Sequence, residues 1–347
     1  MKTETHPLRI AIIGAGKAGT NLGLAFRACP QTEVIRIVSR SMKSAANLAE
    51  ILKVSSFGDN LDEALHDPLV DAVVIATPDR FHGEQVIAAA KAGKHILCEK
   101  PMARTAAEAE AMIGACRAAG VTLMIGFSER FNQPCLEAHE RIEAGEIGVP
   151  MMMLARRCHP RTLVRDRNWL NDRETGGVLN YAGTHNIDLI CWFMQSRPVR
   201  VYAEMGRLVL AGQDFTDCAI MTFRFEHGGI AVLYESFGYP DPYPHPVDRS
   251  LEILGTKGSL TVDFMRQPLT THTAQGYRVH DAVTWPKIQG QIGGAILAEA
   301  EHFATAIKEG RPVLTPGETG LTAIRLAEAA GAAFREGRAM VVSGKEG

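Results

Sequence analysis

Short apolar, β-branched runs alternate with alanine-rich stretches of helical spacing over the first third of the chain. The runs fall at residues 8–13, 33–38, 70–76, 95–98 and 121–125, and the helical stretches at 17–28, 44–52, 83–92 and 108–119. Cys29-Pro30, Gly93 and Gly120 close three of those stretches, in the way helices commonly end. Strands that are apolar at nearly every position are buried on both faces. The alternation therefore predicts a doubly wound α/β domain with a parallel sheet, covering residues 1–126.

Beyond residue 126 the period changes. A helical stretch at 134–143 is followed by extended runs at 151–157, 199–205, 219–225, 230–237, 250–254 and 259–264. Glu226-His227-Gly228-Gly229 and Gly255-Thr256-Lys257-Gly258 separate neighbouring runs and supply hairpin chemistry. Residues 127–347 are thus expected to form an α+β domain with a mostly antiparallel open sheet. Helices at 296–308 and 318–336 finish it, the last expected to pack back on the first domain. Four prolines between Tyr239 and Pro246 make that stretch a loop.

Composition narrows the function. At about 150 residues per domain, 347 residues fit two domains. Thirty-seven basic and 39 acidic side chains leave a charge of −2, with none of the basic footprint of a nucleic-acid binder. No apolar run approaches the roughly 18 residues that span a bilayer, and no charged-then-apolar signal precedes Leu8, so a cytoplasmic protein is expected. The seven cysteines stand singly and the 12 histidines form no H-E-x-x-H pair, so no metal site is expected.

The first strand runs into Gly14-Ala15-Gly16-Lys17-Ala18-Gly19, a G-x-G-x-x-G turn opening a helix. The first glycine permits the turn, the second admits a pyrophosphate, and the third lets helix and strand pack closely. Amides at the helix start, including those of Lys17 and Ala18, face the phosphates. Cofactor choice is read about 20 residues on, at the end of the second strand. Val38-Ser39-Arg40-Ser41 carries no carboxylate there to bind a ribose 2′-hydroxyl, while Arg40 suits a 2′-phosphate or stacks on adenine. NADP(H) is favoured and NAD(H) remains open.

Ala76-Thr77-Pro78-Asp79-Arg80-Phe81-His82 and Gly93-Lys94-His95-Ile96-Leu97-Cys98-Glu99-Lys100-Pro101 add specific text. Further on come Gly126-Phe127-Ser128-Glu129-Arg130-Phe131-Asn132, Gly176-Gly177, Gly183-Thr184-His185-Asn186-Ile187-Asp188 and Glu309-Gly310-Arg311-Pro312. In this order, over most of the chain, they resemble the Gfo/Idh/MocA oxidoreductases, named for glucose–fructose oxidoreductase and inositol dehydrogenase. The resemblance implies a Rossmann domain binding NAD(P), and a C-terminal domain whose open sheet face mediates assembly into a homodimer or homotetramer. It implies hydride transfer between nicotinamide and a carbinol or ketone of a sugar, cyclitol or related substrate. Thr77, Pro78 and His82 match positions lining the cofactor. Glu99 and Lys100 match an E-K-P pair whose lysine lies between cofactor ribose and substrate.

His185 matches the family's acid/base, a role suited to a side chain titrating near neutrality. Asp188, three residues on, is placed to orient the ring or to sit beside the substrate. Trp169 and the arginines at 161, 165, 167 and 173 fall in a region the family uses to shape its substrate pocket. One position departs from the pattern: Tyr181, four residues before the histidine, replaces the usual aspartate. Tyr181 either contributes its own hydroxyl or marks a changed substrate or a weakened dehydrogenase. Two other functions share this sequence pattern: a redox-neutral oxidation–elimination with tightly held NAD(P), and a non-enzymatic NAD(P)-binding sensor or corepressor.

Overall fold

The computed structural model of the chain describes residues 6–162, 179, 183–210, 215–241, 243–245, 247–266, 269–274, 276–281 and 285–342. It divides into two compact units, Met1–Phe131 with Thr284–Leu321, and Asn132–Val283 with Thr322–Gly347. The first stretch of the first unit therefore ends a few residues later than the sequence pattern places it, and the unit takes back a distant segment.

The first unit begins β1 (Leu8–Ile13), α1 (Lys17–Ala28), β2 (Thr32–Val38) and α2 (Met42–Leu52). It continues β3 (Ser56–Gly58), α3 (Leu61–His66), β4 (Ala72–Ile75), α4 (His82–Lys91), β5 (His95–Cys98), α5 (Ala106–Ala119) and β6 (Leu123–Ile125). The six strands are all parallel in the order β3-β2-β1-β4-β5-β6, the doubly wound arrangement of a Rossmann domain. Ile10 pairs with Val34 on one side and Ala72 on the other, so β1 is central and its apolar side chains are buried on both faces. The order reverses between β1 and β4. Ligands of such sheets bind outside the carboxyl ends of the strands at that reversal.

β3 and α3 lie outside the elements the periodicity predicts. Three residues and six residues are too short to show a period. The one local sign of α3 is Asn60, whose side chain accepts a hydrogen bond from the Asp62 amide at 3.0 Å as an N-cap.

The second unit carries α6 (Gln133–Glu143), β7 (Pro150–Pro160), α7 (Thr184–Met194), β8 (Pro198–Gly206), β9 (Cys218–Phe225) and β10 (Ile230–Tyr239). β11 (Asp248–Gly255), β12 (Ser259–Asp263) and a small hairpin of β13 (Thr270–Thr273) and β14 (Gly276–Val279) follow. The chain then rejoins the first unit through β15 (Lys287–Ile288), β16 (Gln291–Ile292) and α8 (Ala295–Glu309). α9 (Gly317–Glu336) begins in the first unit and ends in the second, before β17 (Met340–Val341). α8 joins the first unit's core, and the start of the last helix, α9, lies against Met102 and Ile125 of the same unit. Phe303 on α8 meets Phe26 on α1 edge to face, ring centroids 6.0 Å apart, and both are fully buried.

The larger sheet of the second unit runs β12-β11-β7-β10-β9-β8-β17. It is antiparallel except where β10 pairs in parallel with β7, Leu233 opposite Ala155. Period-two alternation sorts its side chains: Met153, Ala155, Met221, Phe223, Leu233 and Ile253 are buried, and α7 lies against β7 and β10. Their neighbours Met152, Leu154, Ile220, Ile230, Tyr234 and Leu254 are each 38–52 % exposed and form one apolar face. Among the described residues, no helix is long and apolar enough to cross a membrane.

Candidate active site

The glycine turn after β1 is fixed by close approach. Gly14 sits at φ +106°, and a Cβ there would stand 2.5 Å from the Ala76 carbonyl oxygen at the end of β4. A Cβ on Gly19 would collide with the Gly14 carbonyl. Gly16 differs from both, because its Cβ position faces open space. Gly16 is also the N-cap of α1, with no side chain capping the helix and no acidic residue in its first turn. The helix start thus presents its positive end, and the open side of Gly16 leaves room for an anion there. These residues fit the pyrophosphate of a dinucleotide.

At the end of β2, Ser39 is half-buried and its amide donates to the Gly58 carbonyl at 3.0 Å, tying the β2 and β3 ends together. Arg40 and Lys43 are exposed. Ser41 caps α2 by accepting from the Ser44 amide at 3.3 Å, which spends its hydroxyl. Ser39 and Arg40 are left as the polar groups at this strand end.

After β4, the Thr77 hydroxyl donates to the Gln85 side-chain oxygen at 2.6 Å. Pro78 opens a short 3-10 turn over Asp79–Phe81. His82 opens α4, fully buried, with one ring nitrogen 2.9 Å from the Thr77 carbonyl oxygen and the other 2.9 Å from that of Pro101. Burial pushes its pKa down, so at neutral pH the ring holds one proton and donates to one of these carbonyls according to its tautomer. His82 is thus a brace between the loop after β4 and the turn after β5, its nitrogens turned to protein carbonyls. His82→Ala removes that brace and strands a buried carbonyl, at a cost of about 1–3 kcal/mol. A melting temperature lowered by several degrees and a cofactor Kd raised roughly tenfold are the expected readings.

The turn after β5 carries Glu99, Lys100 and Pro101, with a cis Lys100-Pro101 peptide. Burial pushes the Glu99 carboxyl up, against the Lys100 ammonium, which holds it down. The Lys100 amide donates to the Glu99 carboxylate at 3.1 Å, and a Cβ on Gly126 would press to 3.3 Å from the Glu99 Cα. Lys100 itself is half-buried at the carboxyl end of β5, two strands from the glycine turn.

In the second unit, His185 and Asp188 lie in the first turns of α7, 8 % and 2 % exposed. Thr184 and Asn186 beside them are each 1 % exposed, and so many buried polar groups in the first turns of one helix are a functional signal. Tyr181, Trp169, Arg165, Arg167 and Arg173 lie outside the described residues. Arg161 is exposed, and its guanidinium donates to the Gly238 carbonyl at 3.1 Å.

Sequence periodicity left unassigned a set of polar groups at the ends of β7, β10 and β11: Arg157, His159, Glu235, Asp248 and Arg249, all buried. The sign of it is Glu235, which follows Ala231 and Leu233 in the inward phase of β10. Asp248 binds the Arg156 guanidinium at 2.9 Å and accepts from the Tyr243 hydroxyl at 2.6 Å. Burial first, then that carboxylate, pushes the Tyr243 phenol up to about 12. The proline-rich loop is anchored through this tyrosine. Among the described residues, no three His, Cys, Asp or Glu side chains are grouped to hold a metal ion.

Comparison with known proteins agrees with both units. Residues 8–127 match the family model of the oxidoreductase family with an NAD-binding Rossmann fold, and residues 135–261 match the GFO/IDH/MocA C-terminal domain. The chain is 28 % identical over 341 residues to the myo-inositol 2-dehydrogenase of Thermotoga maritima, covering 96 % of this chain and 98 % of that protein. It is 27 % identical over 345 residues to the scyllo-inositol 2-dehydrogenase (NAD(+)) of Bacillus subtilis, covering 96 % and 95 %. The crystal structure of a probable dehydrogenase from Thermotoga maritima superposes with a TM-score of 0.84 at 27 % identity, over 96 % of this chain and 99 % of that one. A Rossmann sheet with its pyrophosphate turn, an E-K-P turn after β5, a buried α7 histidine and matches over both units make this chain a member of the GFO/IDH/MocA oxidoreductase family.

Proposed function

We propose that this chain moves a hydride between NADP(H) and a secondary carbinol, or the matching ketone, of a cyclitol or sugar. The observation that carries the proposal is one sheet presenting both parts at its carboxyl edge. β1 ends in the uncapped glycine turn, and β5, one strand beyond the reversal, ends in Lys100. The inositol dehydrogenases among its relatives support a cyclitol as the substrate class.

The nicotinamide supplies the hydride acceptor or donor when bound. The chain's own residues do the rest. Gly14, Gly16, Lys17, Ala18 and Gly19 hold the pyrophosphate, Ser39 and Arg40 the adenosine ribose end, and Thr77 and Pro78 the inner wall of the cofactor cleft. Glu99 faces Lys100, whose ammonium polarises the reacting oxygen. On oxidation the carbinol loses a hydride from carbon and a proton from oxygen, and His185 takes the proton. Tyr181 supplies a hydroxyl where the family places a carboxylate, and Trp169 and Asp188 contact the substrate. Self-association into a homodimer or homotetramer would cover the exposed apolar side chains on the sheet face of the second unit.

Ser39 and Arg40 set the expected cofactor choice. A neutral hydroxyl beside a guanidinium attracts a 2′-phosphate, so NADPH should bind more tightly than NADH. Ser39→Asp should reverse the order, because a carboxylate repels the phosphate and accepts from a free 2′-hydroxyl. Fluorescence titration of both cofactors, followed by a cyclitol and sugar panel read by nicotinamide absorbance, tests the whole reading. A clear NADH preference overturns the cofactor choice. Tight cofactor binding with no redox change on any polyol overturns the dehydrogenase.

A further inference from the structure

Glu299 lies within the first unit, on α8, in a place neither the glycine turn nor the E-K-P turn accounts for. It is 1 % exposed, and its Oε1 is buried with no hydrogen-bond partner. Two other carboxyls are its electrostatic neighbours: the half-buried Glu99 of the E-K-P turn, and the buried Glu129 of the 3-10 turn over Ser128–Phe131, against which α8 packs.

Cations around it are few and committed. Arg130, beside Glu129, donates to the Leu314 carbonyl at 3.2 Å. His302, on the same helix, accepts from the Leu314 amide at 2.8 Å, and burial pushes its pKa down. α1, the other helix packed on α8, carries Lys17 at its exposed start and Arg27 at its end, where Arg27 donates to the Ile51 carbonyl at 2.6 Å. The Lys100 charge acts on Glu99 and holds its carboxyl down.

An ionised carboxylate with a dry, unpartnered oxygen is among the costliest groups a protein interior can hold, and a neutral acid costs far less. Two further carboxyls nearby add to that cost. Burial, then the charges of Glu99 and Glu129, push the Glu299 carboxyl well above its usual range.

We propose that Glu299 is a positioning residue of the hydride-transfer site: a neutral carboxylic acid behind the E-K-P turn, whose neutrality leaves Glu99 as the carboxylate paired with Lys100. An ionised Glu299 would drive a proton onto Glu99 and remove the charge that Lys100 faces. The proposal rests on the reading of Lys100 as the residue at the reacting oxygen, and its test separates the two.

Glu299→Gln keeps the shape of the neutral acid and cannot ionise. Since the folded protein keeps the proton longer than the unfolded chain does, stability falls as pH rises from the unfolded carboxyl value of about 4.3, and levels off above the folded value. The wild-type folding equilibrium should lose up to about tenfold per pH unit relative to Glu299→Gln across that window. Thermal melts of the two proteins without ligand, from acid to mildly alkaline pH, read this directly. An infrared difference spectrum should show a protonated-carboxyl band in the wild type alone. In turnover, the wild type should lose activity as Glu299 ionises, and Glu299→Gln should keep it there.

Parallel stability curves with no carboxyl band overturn the neutral acid. A diverging stability curve with an unchanged alkaline limb in Glu299→Gln overturns the positioning role. If no polyol is turned over, the Lys100 reading fails while the melts still judge Glu299.

Discussion

Lys100→Ala and His185→Ala should each lower turnover by about 10²–10⁴-fold while NADPH still binds. On the proposed reading the phosphates lie against backbone at Gly14, Gly16 and Gly19, which neither substitution touches. On the proposed roles, losing the ammonium would raise the barrier by removing charge at the oxygen, and losing the imidazole would remove the group that carries the proton. The two variants differ in pH dependence. Lys100→Ala should keep a limb set by the histidine, and His185→Ala should lose it. Tyr181→Phe should also lose most of its turnover if the tyrosine hydroxyl shares the proton. A Tyr181→Phe enzyme with the wild-type rate and pH profile would eliminate that share. Steady-state kinetics beside a binding titration distinguishes these outcomes, and loss of cofactor affinity in Lys100→Ala would count against a role confined to the reacting oxygen.

Phe303→Ala should destabilise the protein by about 3–5 kcal/mol, although residue 303 lies far along the chain from the sheet it supports. Its ring is fully buried against Phe26, within a cluster that includes Leu22, Ile10 and Leu48. Removing it leaves a cavity in the middle of the Rossmann core. Phe303→Leu, which refills most of that volume, should recover most of the loss. Chemical denaturation followed through the first unit measures both. A cost under about 1 kcal/mol would mean that α8 rests on this core without completing it.

The parallel sheet was legible because its longer strands are apolar at nearly every position, and most helices between them end at glycine or before proline. The glycine turn was legible because its three glycines answer three separate steric demands, two of which appear as clashes a Cβ would make at Gly14 and Gly19. Segment recruitment was harder to read. Nothing in the period of α8 says which sheet its apolar stripe will meet, since Phe303 and Ala300 would suit any core. His82 showed the limit of matching by motif: the resemblance places it along a cofactor loop, and the fold turns both its nitrogens to protein carbonyls. Glu299 gave even less away. A glutamate four residues before a phenylalanine, on a helix with polar neighbours, reads as a solvated face until its side chain is found buried, with an unpartnered oxygen.

The return of the chain to its first unit also orders events during synthesis. A ribosome that has made residues 1–131 has produced every strand of the Rossmann sheet, yet the helix bearing Phe303 follows only after residues 132–283 of the second unit. At 5–20 residues/s the interval is roughly 10–35 s, far longer than local helices and hairpins need to form. Throughout it, the side of α1 carrying Phe26 has no partner from α8. The nascent sheet must wait half-covered, so this is the stage at which chaperone capture or misassembly between neighbouring chains on a polysome is expected. Mutations that weaken α8 would then be felt as lost yield before they are felt as lost activity.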